Sequence, residues 1–179
     1  MVYGSSTFPW KCGQRAIPSD KYVNAEHTVP QSFFNSKTPM VSDLHHLFSA
    51  PKTLNGARSN YKFDEFPYSE CIKFCKDNEC QTTAPSNPDQ YSCLHKSKKK
   101  WMPVKKDRGQ VVRAIFYFFT VYGEKYCKLS DLGDLSTLKS WNQNYPPSDF
   151  EILRNNIVNQ TQGNINPYID DYSLVNQAF

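Results

Sequence analysis

The stretch that decides the fold is residues 24–60, NAEHTVPQSFFNSKTPMVSDLHHLFSAPKTLNGARSN. It holds three of the four histidines of the chain, an adjacent Glu26-His27 pair and, further on, Asn55. Carboxylate and amide oxygens are hard ligands that suit a magnesium-like ion. An imidazole, with an ordinary pKa of about 6.5, can accept a proton from water near neutral pH. These residue types together indicate a hydrolytic metal site.

Local propensity places the Glu26-His27 pair on a strand. Residues 22–29 are rich in β-prone side chains, and the proline that follows them ends the run. A loop over residues 31–41 and a short apolar segment over residues 43–48 come next. We expect that segment to form a second strand that leads to a helix.

The helix is expected to begin near Ser49, a good N-cap residue, with Pro51 in its first turn. Asn55 and Arg58 are three residues apart on it, so their side chains share a face. A strand, a loop, a second strand and this helix would present Asn55 and the strand pair to one ion from two sides. Because successive strand residues point to opposite faces, the pair can serve one site only where the strand twists or ends.

The order of several short motifs along the chain carries a resemblance to a known family. The motifs lie at residues 26–34, 42–47, 55–61, 109–118, 141–142, 146–155 and 162–170. They resemble the endonuclease I family of His-Me finger, or ββα-metal, non-specific nucleases, and the likeness covers about residues 2–171. The resemblance implies an α+β fold, a mainly helical single domain over residues 1–179. Its ββα-metal core would lie at about 20–60, a Cys- and Lys-rich loop at 64–104, and a helical part at 109–163.

For function, the resemblance implies a metal-dependent, sequence-non-specific endonuclease. It would hydrolyse DNA, with RNA as a second substrate, to products with 5′-phosphate ends. His27 would be the general base, and Glu26 and Asn55 would hold one Mg²⁺ ion, with Ca²⁺ or Mn²⁺ as substitutes in the site. The alternative is a nucleic-acid-binding module that keeps the scaffold without turnover.

Three further residues are expected to support the metal site. Asp43 and His45 would orient a ligand or hold the catalytic imidazole, a task that matters as much as direct ligation. Asn60 is the rival of Asn55 for the place at the metal.

One departure from the family concerns a cationic side chain. Some relatives carry a phosphate-contacting arginine in the loop after the Glu-His pair, where this chain has Lys37 and no arginine. We expect either that Arg58, Arg113 or Lys37 takes over that contact or that the activity is reduced.

Basic residues are concentrated in one segment. Seven of the 21 Lys and Arg residues lie within residues 96–108, with Trp101 among them, and the net charge is +4. A groove that follows phosphates and offers a ring for stacking has this composition, as does a solvated loop. The nuclease-like motifs favour the groove, for which the candidates are Lys37, Lys98, Lys99, Lys100, Lys105 and Lys106.

Six cysteines are many for a chain of this length. Four crowd one segment and two lie outside it: Cys71, Cys75, Cys80 and Cys93, then Cys12 and Cys127. Their spacings do not match the paired ligands of a zinc ribbon, so disulfides are favoured over free thiols and over zinc. Disulfides imply an oxidising compartment, and the protein is therefore expected to be secreted, extracellular or periplasm-like.

Length and composition exclude some classes of protein. The 179 residues fit one domain, and no apolar run is long enough to cross a bilayer. Residues 1–13 lack the charged start and apolar centre of a signal peptide. We expect a monomer whose partner is DNA or RNA and not a membrane.

Apolar periodicity predicts helices in the second half of the chain. They are expected at residues 110–122, where Gly123 stops the first, at 132–141, and at 148–162, where Ser148 opens a capping box. Their aromatic and leucine stripes are expected to form the core.

Overall fold

The computed structural model describes residues 1–4, 19, 21, 23–95 and 99–179. Within these residues a two-stranded hairpin and a helix come first, a five-stranded sheet follows, and helices complete the chain. Cys12 and Lys98 lie outside the described residues, as do residue 22 of the predicted strand and residue 96 of the basic segment.

The first unit is a strand pair with a helix attached. Strand β1 (Val23–His27) pairs antiparallel with β2 (Leu47–Pro51), so that Glu26 lies opposite Phe48 and His27 opposite Leu47. Helix α1 (Lys52–Arg58) follows β2 directly. The order of strand, loop, strand and helix that the sequence predicts is present.

Two predicted boundaries in this unit are wrong. Leu44–His46 is a 3-10 helix, closed at its start by the Asp43 side chain, so the second strand begins only at its end. The helix begins at Lys52 and not near Ser49, because Ser49 is paired with Ala25 in the hairpin. Pairing of the backbone therefore outweighs the capping preference of a serine.

Residues 64–104, predicted as a Cys- and Lys-rich loop, instead form a sheet together with Lys62 and Phe63. Its strand order is β3-β7-β6-β4-β5, with β3 and β7 parallel and the other pairs antiparallel. The strands are β3 (Lys62–Phe63), β4 (Lys73–Lys76), β5 (Glu79–Gln81), β6 (Ser92–His95) and β7 (Lys100–Met102). Strands of two to four residues are too short to give a detectable alternation of apolar and polar side chains.

Two disulfides fasten this sheet. Cys75 and Cys80 are directly opposite each other on β4 and β5, and Cys71 is joined to Cys93 on β6. The preference for disulfides among these four cysteines is therefore confirmed. Cys127 is a free thiol in the part of the chain that the structure describes.

The helical half agrees closely with the sequence pattern. Helix α2 (Arg108–Tyr122) stops at Gly123, whose φ of 62° favours glycine. The helix predicted at 132–141 is divided at Gly133 into α3 (Leu129–Leu132) and α4 (Leu135–Asn144). Helix α5 (Asp149–Gln162) is capped by Ser148, and α6 (Pro167–Asp170) and α7 (Val175–Ala178) follow.

The core surrounds α2. The predicted stripe of Val112, Ile115, Phe116 and Phe119 is buried, which confirms it as core. Trp101 is 0% exposed, so it cannot be the stacking ring proposed from the lysine-rich segment. In the described residues, no helix has the length and apolar character needed to cross a membrane.

Candidate functional site

His27 ends β1, and its ring is fixed by one hydrogen bond. Nε2 lies 2.8 Å from the carbonyl oxygen of Val41, in the loop between the two hairpin strands. A carbonyl can only accept, so Nε2 carries the proton and Nδ1 of the neutral ring keeps its lone pair. Burial lowers the pKa of His27, and the Val41 contact opposes that shift. The result is a neutral imidazole able to accept a proton.

The other two histidines of the stretch differ from His27. The Nδ1 atoms of His45 and His46 are fully buried without a hydrogen-bond partner. The Nδ1 atom of His27 is not among such buried, unpartnered atoms. His46 donates through Nε2 to the Met40 carbonyl at 2.6 Å, and burial lowers its pKa to about 4. His27 is therefore the histidine of this group whose chemistry remains available.

Glu26, 2% exposed, points into the protein. Its Oε1 accepts a hydrogen bond of 2.8 Å from the Tyr3 hydroxyl and lies 3.2 Å from Nη1 of Arg58. Burial raises the pKa of Glu26, while the charge of Arg58 and the bond from Tyr3 lower it. Among the described residues no hydrogen bond reaches Oε2, which leaves that oxygen as the one able to bind a cation.

Arg58 is a buried residue of α1 whose side chain binds the backbone at the end of β1. It is 1% exposed, and it donates to the carbonyls of Thr28 at 2.6 Å and His27 at 3.4 Å. Its guanidinium also lies 4.6 Å from the centre of the Phe63 ring. Because the side chain is committed to these partners, its position favours holding the Glu26-His27 pair in place over contact with a phosphate.

Asn55 reaches β1 from the helix. Its Nδ2 donates to the Ala25 carbonyl at 3.3 Å, and among the described residues no donor reaches the amide oxygen Oδ1. The side chain is half-buried, beside the strand residue that precedes Glu26. Asn60, the rival, lies two residues beyond α1 and is exposed.

The residues present fit a hard divalent cation. Within the described ranges no group of three or more His, Cys, Asp or Glu side chains could hold a metal ion. Side chains of these types therefore do not surround an ion completely there. Oε2 of Glu26 and Oδ1 of Asn55 are hard oxygen donors. Magnesium is commonly bound by one or two such groups while it keeps several waters. A buried carboxylate whose pKa is raised by burial also gains from a nearby cation.

Asp43 fastens the loop that carries the Val41 carbonyl. Its Oδ2 accepts from the hydroxyls of Tyr117 at 3.0 Å and Tyr122 at 2.6 Å, and its Oδ1 accepts from the Gln162 amide at 2.8 Å. His45 donates to or accepts from no group of the Glu26-His27 pair; its Nε2 lies 3.0 Å from the Asn164 carbonyl. Both residues therefore act on the loop and not directly on the pair.

Arg113 lies in a buried ion pair on α2. It is 1% exposed, and its Nε and Nη2 donate to the two carboxylate oxygens of Glu151 at 2.6 and 2.7 Å. It also donates to the carbonyl of Tyr145 at 2.9 Å. These contacts join α2 to α5, so the geometry gives no support to a phosphate contact by Arg113.

The predicted nucleic-acid-binding lysines differ in whether a carboxylate pairs with them. Lys100 pairs with Asp64, and Lys105 pairs with Asp89 at 2.7 Å. Three others are exposed: Lys37, Lys99 and Lys106. Lys98 lies outside the described residues.

Sequence reasoning missed the groups that hold the site from afar. Tyr3 contacts Glu26 across 23 positions, Tyr117 and Tyr122 contact Asp43 across 74 and 79, and the partner of His27 is a backbone carbonyl. No local pattern marks such contacts, because they exist only once the chain has folded.

The arrangement is that of a hydrolase-type site. A hairpin and its helix bring a neutral imidazole, a buried carboxylate and an amide oxygen to one end of β1. The family model of Endonuclease I matches residues 2–172, so the chain belongs to the Endonuclease I family.

Relatives with known activities include both deoxyribonucleases and ribonucleases. A periplasmic deoxyribonuclease of Aeromonas hydrophila is 28% identical over 136 residues, 73% of this chain and 48% of the relative. An extracellular ribonuclease of Bacillus amyloliquefaciens is 30% identical over 167 residues, 82% of this chain and 50% of the relative. An extracellular ribonuclease of Bacillus subtilis (strain 168) is 31% identical over 164 residues, with 82% and 50% covered. The chain thus spans about half the length of the curated relatives it matches.

Proposed function

We propose that this protein is a metal-dependent, sequence-non-specific endonuclease that hydrolyses phosphodiesters of DNA and RNA and leaves 5′-phosphate ends. The observation that carries the proposal is the orientation of the His27 ring. Its Nε2 is held by the Val41 carbonyl, and the residue before it in the chain is the buried Glu26. The family of the chain, and relatives named deoxyribonuclease and ribonuclease, support it. Secretion from the cell is part of the same proposal, since the disulfides and the relatives named periplasmic or extracellular favour it.

The chemistry assigned to His27 follows from its tautomer. Nδ1 takes a proton from a water molecule. The Val41 carbonyl, which accepts from Nε2, stabilises the positive charge of the imidazolium that forms. The base is already oriented before substrate arrives, because its ring cannot turn without breaking that bond. Arg58 fixes the backbone of the same residue through the His27 carbonyl.

We assign one Mg²⁺ ion to Glu26 and Asn55, with Ca²⁺ or Mn²⁺ able to replace it. When bound, the ion supplies positive charge that offsets the charge developing on the phosphate and the departing 3′ oxygen. Glu26 contributes its free Oε2, and Tyr3 and Arg58 keep Oε1 in place. Asn55 contributes Oδ1, oriented by the bond from Nδ2 to Ala25.

A plasmid-nicking assay tests the proposal. His27→Ala is expected to lower Mg²⁺-dependent cleavage by about 10²- to 10⁴-fold, the usual contribution of a general base. Binding of DNA should survive in this variant, because phosphate contacts supply affinity. EDTA should abolish cleavage by the wild-type protein, and added imidazole should restore part of the activity of the His27→Ala variant.

The matched control is His45→Ala, which removes an imidazole from the same stretch without touching the Glu26-His27 pair. Turnover near the wild-type level in His27→Ala would refute the assignment of the base. Wild-type protein that binds DNA but never nicks it in Mg²⁺ would show a binding module instead of an enzyme.

A further inference from the structure

An open groove lies beside the candidate site and is lined by aromatic and basic side chains. Its volume is about 660 Å³, within the range of pockets that bind small organic groups. The residues that matter for its chemistry are Phe33, Asn60, Tyr61, Lys62, Lys99 and Tyr126. We call it the tyrosine groove.

The groove is built by the segments that leave the two elements of the candidate site. Phe33 ends the 3-10 helix Gln31–Phe33 that follows β1, and the next residue, Phe34, packs its ring 6.3 Å from that of His27. Tyr61 follows α1, and its amide donates to the Arg58 carbonyl at 3.1 Å. The residues that line the tyrosine groove are therefore continuous in sequence with the elements that carry the candidate site.

The rings of the groove are available for stacking. Phe33, Tyr61 and Tyr126 are each half-buried: one side packs on the core and the rest of the ring is open to the groove. Within the described part of the chain none of the three pairs with another aromatic ring, whereas core rings such as Phe116 and Phe179 lie 4.8 Å apart. Phe33 and Tyr61 thus offer faces to a planar ligand, whereas lysine ammonium groups already contact the Tyr126 ring.

Lysines outnumber carboxylates around these rings, since Asp131 is the acidic residue among the described residues that line the groove. The Nζ atoms of Lys37 and Lys125 lie 5.3 and 5.5 Å from the centre of the Tyr126 ring. Lys62 and Lys99 line the groove and are exposed, and among the described residues neither forms an ion pair with a carboxylate. Lysines of the basic segment that face elsewhere, such as Lys100, are already paired.

The free thiol in the groove does not reverse this charge. Burial raises the pKa of Cys127 to about 11, and the nearby carboxylates of Asp131 and Glu124 add to the effect. The thiol therefore stays neutral at physiological pH. The Asp131 carboxylate accepts from the Lys128 amide at 2.9 Å, which engages it in the start of α3.

We propose that the tyrosine groove binds one unpaired nucleotide of the substrate strand, with its base against Tyr61 or Tyr126 and its phosphates near the lysines. Aromatic faces combined with lysines that follow a backbone are the means by which proteins hold single-stranded nucleic acid without reading its sequence. A base inside a duplex is stacked on its neighbours and cannot present its face to a ring. The inference rests on the proposed function and adds to it a preference for strands with an unpaired base near the cleaved bond.

Binding in EDTA tests this inference without any need for cleavage. The probes are a fluorescent oligothymidylate of ten nucleotides and an abasic strand with the same number of phosphates, and anisotropy reports the affinity. The wild-type protein should bind the oligothymidylate more tightly, by about 5- to 150-fold, the usual effect of one stacked base. Because the two strands have equal charge, the difference measures stacking alone.

Variants locate that difference in the groove. Tyr126→Leu and Tyr61→Leu together should reduce the preference for the base-bearing strand to about twofold or less, while Tyr126→Phe and Tyr61→Phe keep it. Tyr172→Leu is the control, since Tyr172 is also half-buried and does not line the groove. Unchanged affinity of the leucine variant for the abasic strand excludes a mere loss of folding as the cause.

Equal binding of both strands by the wild-type protein overturns the inference, whether or not the protein cleaves DNA. A base preference that the paired leucine variant leaves intact also overturns it. A preference that depends on the tyrosines in a protein without nuclease activity supports the groove and refutes the proposed function.

Discussion

At the scale of single residues, two neighbouring carbonyls set the state of two histidines. Met40 and Val41 accept from Nε2 of His46 and His27, and the two rings lie 5.6 Å apart. Both rings therefore carry their proton on the same nitrogen. His46 stays neutral because it is buried, and so it places no positive charge beside His27.

The low pKa of His46 predicts a loss of stability in acid. Its ordinary pKa of 6.5 falls to about 4 in the folded protein. Between these pH values His46 is protonated in the unfolded chain but not in the folded chain. The free energy of unfolding therefore decreases as the pH falls from 6.5 to 4. The loss approaches about 3 kcal/mol and is absent above pH 6.5.

Urea denaturation at a series of pH values measures this loss. His46→Gln should be less stable than the wild-type protein at pH 7.5 but should lose less stability on the way to pH 4. Asp43, His27 and His45 also face this ring and titrate in both proteins, so only the difference between the two curves is informative. Parallel curves would contradict the assigned pKa.

The two asparagines can be separated by a magnesium titration. If Asn55 holds the ion, Asn55→Ala should raise the Mg²⁺ concentration needed for half-maximal cleavage, and excess Mg²⁺ should restore part of the rate. Asn55→Asp adds a charge next to Glu26 and should keep or tighten ion binding. A Mg²⁺ requirement that shifts in Asn60→Ala and stays unchanged in Asn55→Ala would assign the place at the metal to Asn60.

At the scale of elements, the small sheet depends on covalent links. Its strands are two to four residues long, which is short for strands that hold by pairing alone. Cys71–Cys93 closes a separation of 22 residues and Cys75–Cys80 one of 5. The sheet in turn supplies Lys62 to the tyrosine groove, and Lys99 directly precedes its strand β7.

Removal of either disulfide should lower the free energy of unfolding by about 2–4 kcal/mol, more for Cys71–Cys93 because its loop is longer. Paired alanine variants, Cys71→Ala with Cys93→Ala and Cys75→Ala with Cys80→Ala, compared by urea denaturation, measure the two effects. Alkylation of the denatured, non-reduced protein followed by mass spectrometry gives the control: Cys127 should be labelled and these four should not. Labelling of all five in protein kept from reductants would contradict the disulfides.

At the scale of the whole molecule, a buried ion pair joins the two longest helices. Arg113 of α2 binds both carboxylate oxygens of Glu151 on α5. Helix α2 also approaches the end of α4 closely at Gly109, where a Cβ atom would lie 2.0 Å from the carbonyl oxygen of Tyr145. Ser148 caps α5 as the sequence predicts, yet Glu151 turns to Arg113 and not back to the cap.

Arg113→Met is expected to lower the free energy of unfolding by about 3–5 kcal/mol, because Glu151 is left buried without its partner. Arg113→Met combined with Glu151→Leu should recover much of that loss, since no charge then remains inside. Urea denaturation of the two variants gives the comparison. Wild-type stability in Arg113→Met together with a loss of cleavage would instead favour a phosphate contact.

What the sequence determines by itself is what local physics controls. The order of hairpin and helix, the ends of α2 and α5 at Gly123 and Gly163, and the buried stripe of α2 all follow from propensity, capping and apolar period. The family follows from motifs in order along the chain. Each of these depends on residues close together in sequence.

What only the tertiary structure decides is which distant groups meet. Tyr3 and Arg58 share Glu26, and the hairpin pairing moves the start of α1 to Lys52. Trp101 belongs to the core although its neighbours are lysines. The sheet over residues 62–102 has no local signature, because short strands gain their stability from partners and disulfides elsewhere in the chain. Contacts of this kind leave no periodic pattern in the sequence, so they can be recognised only in the folded structure.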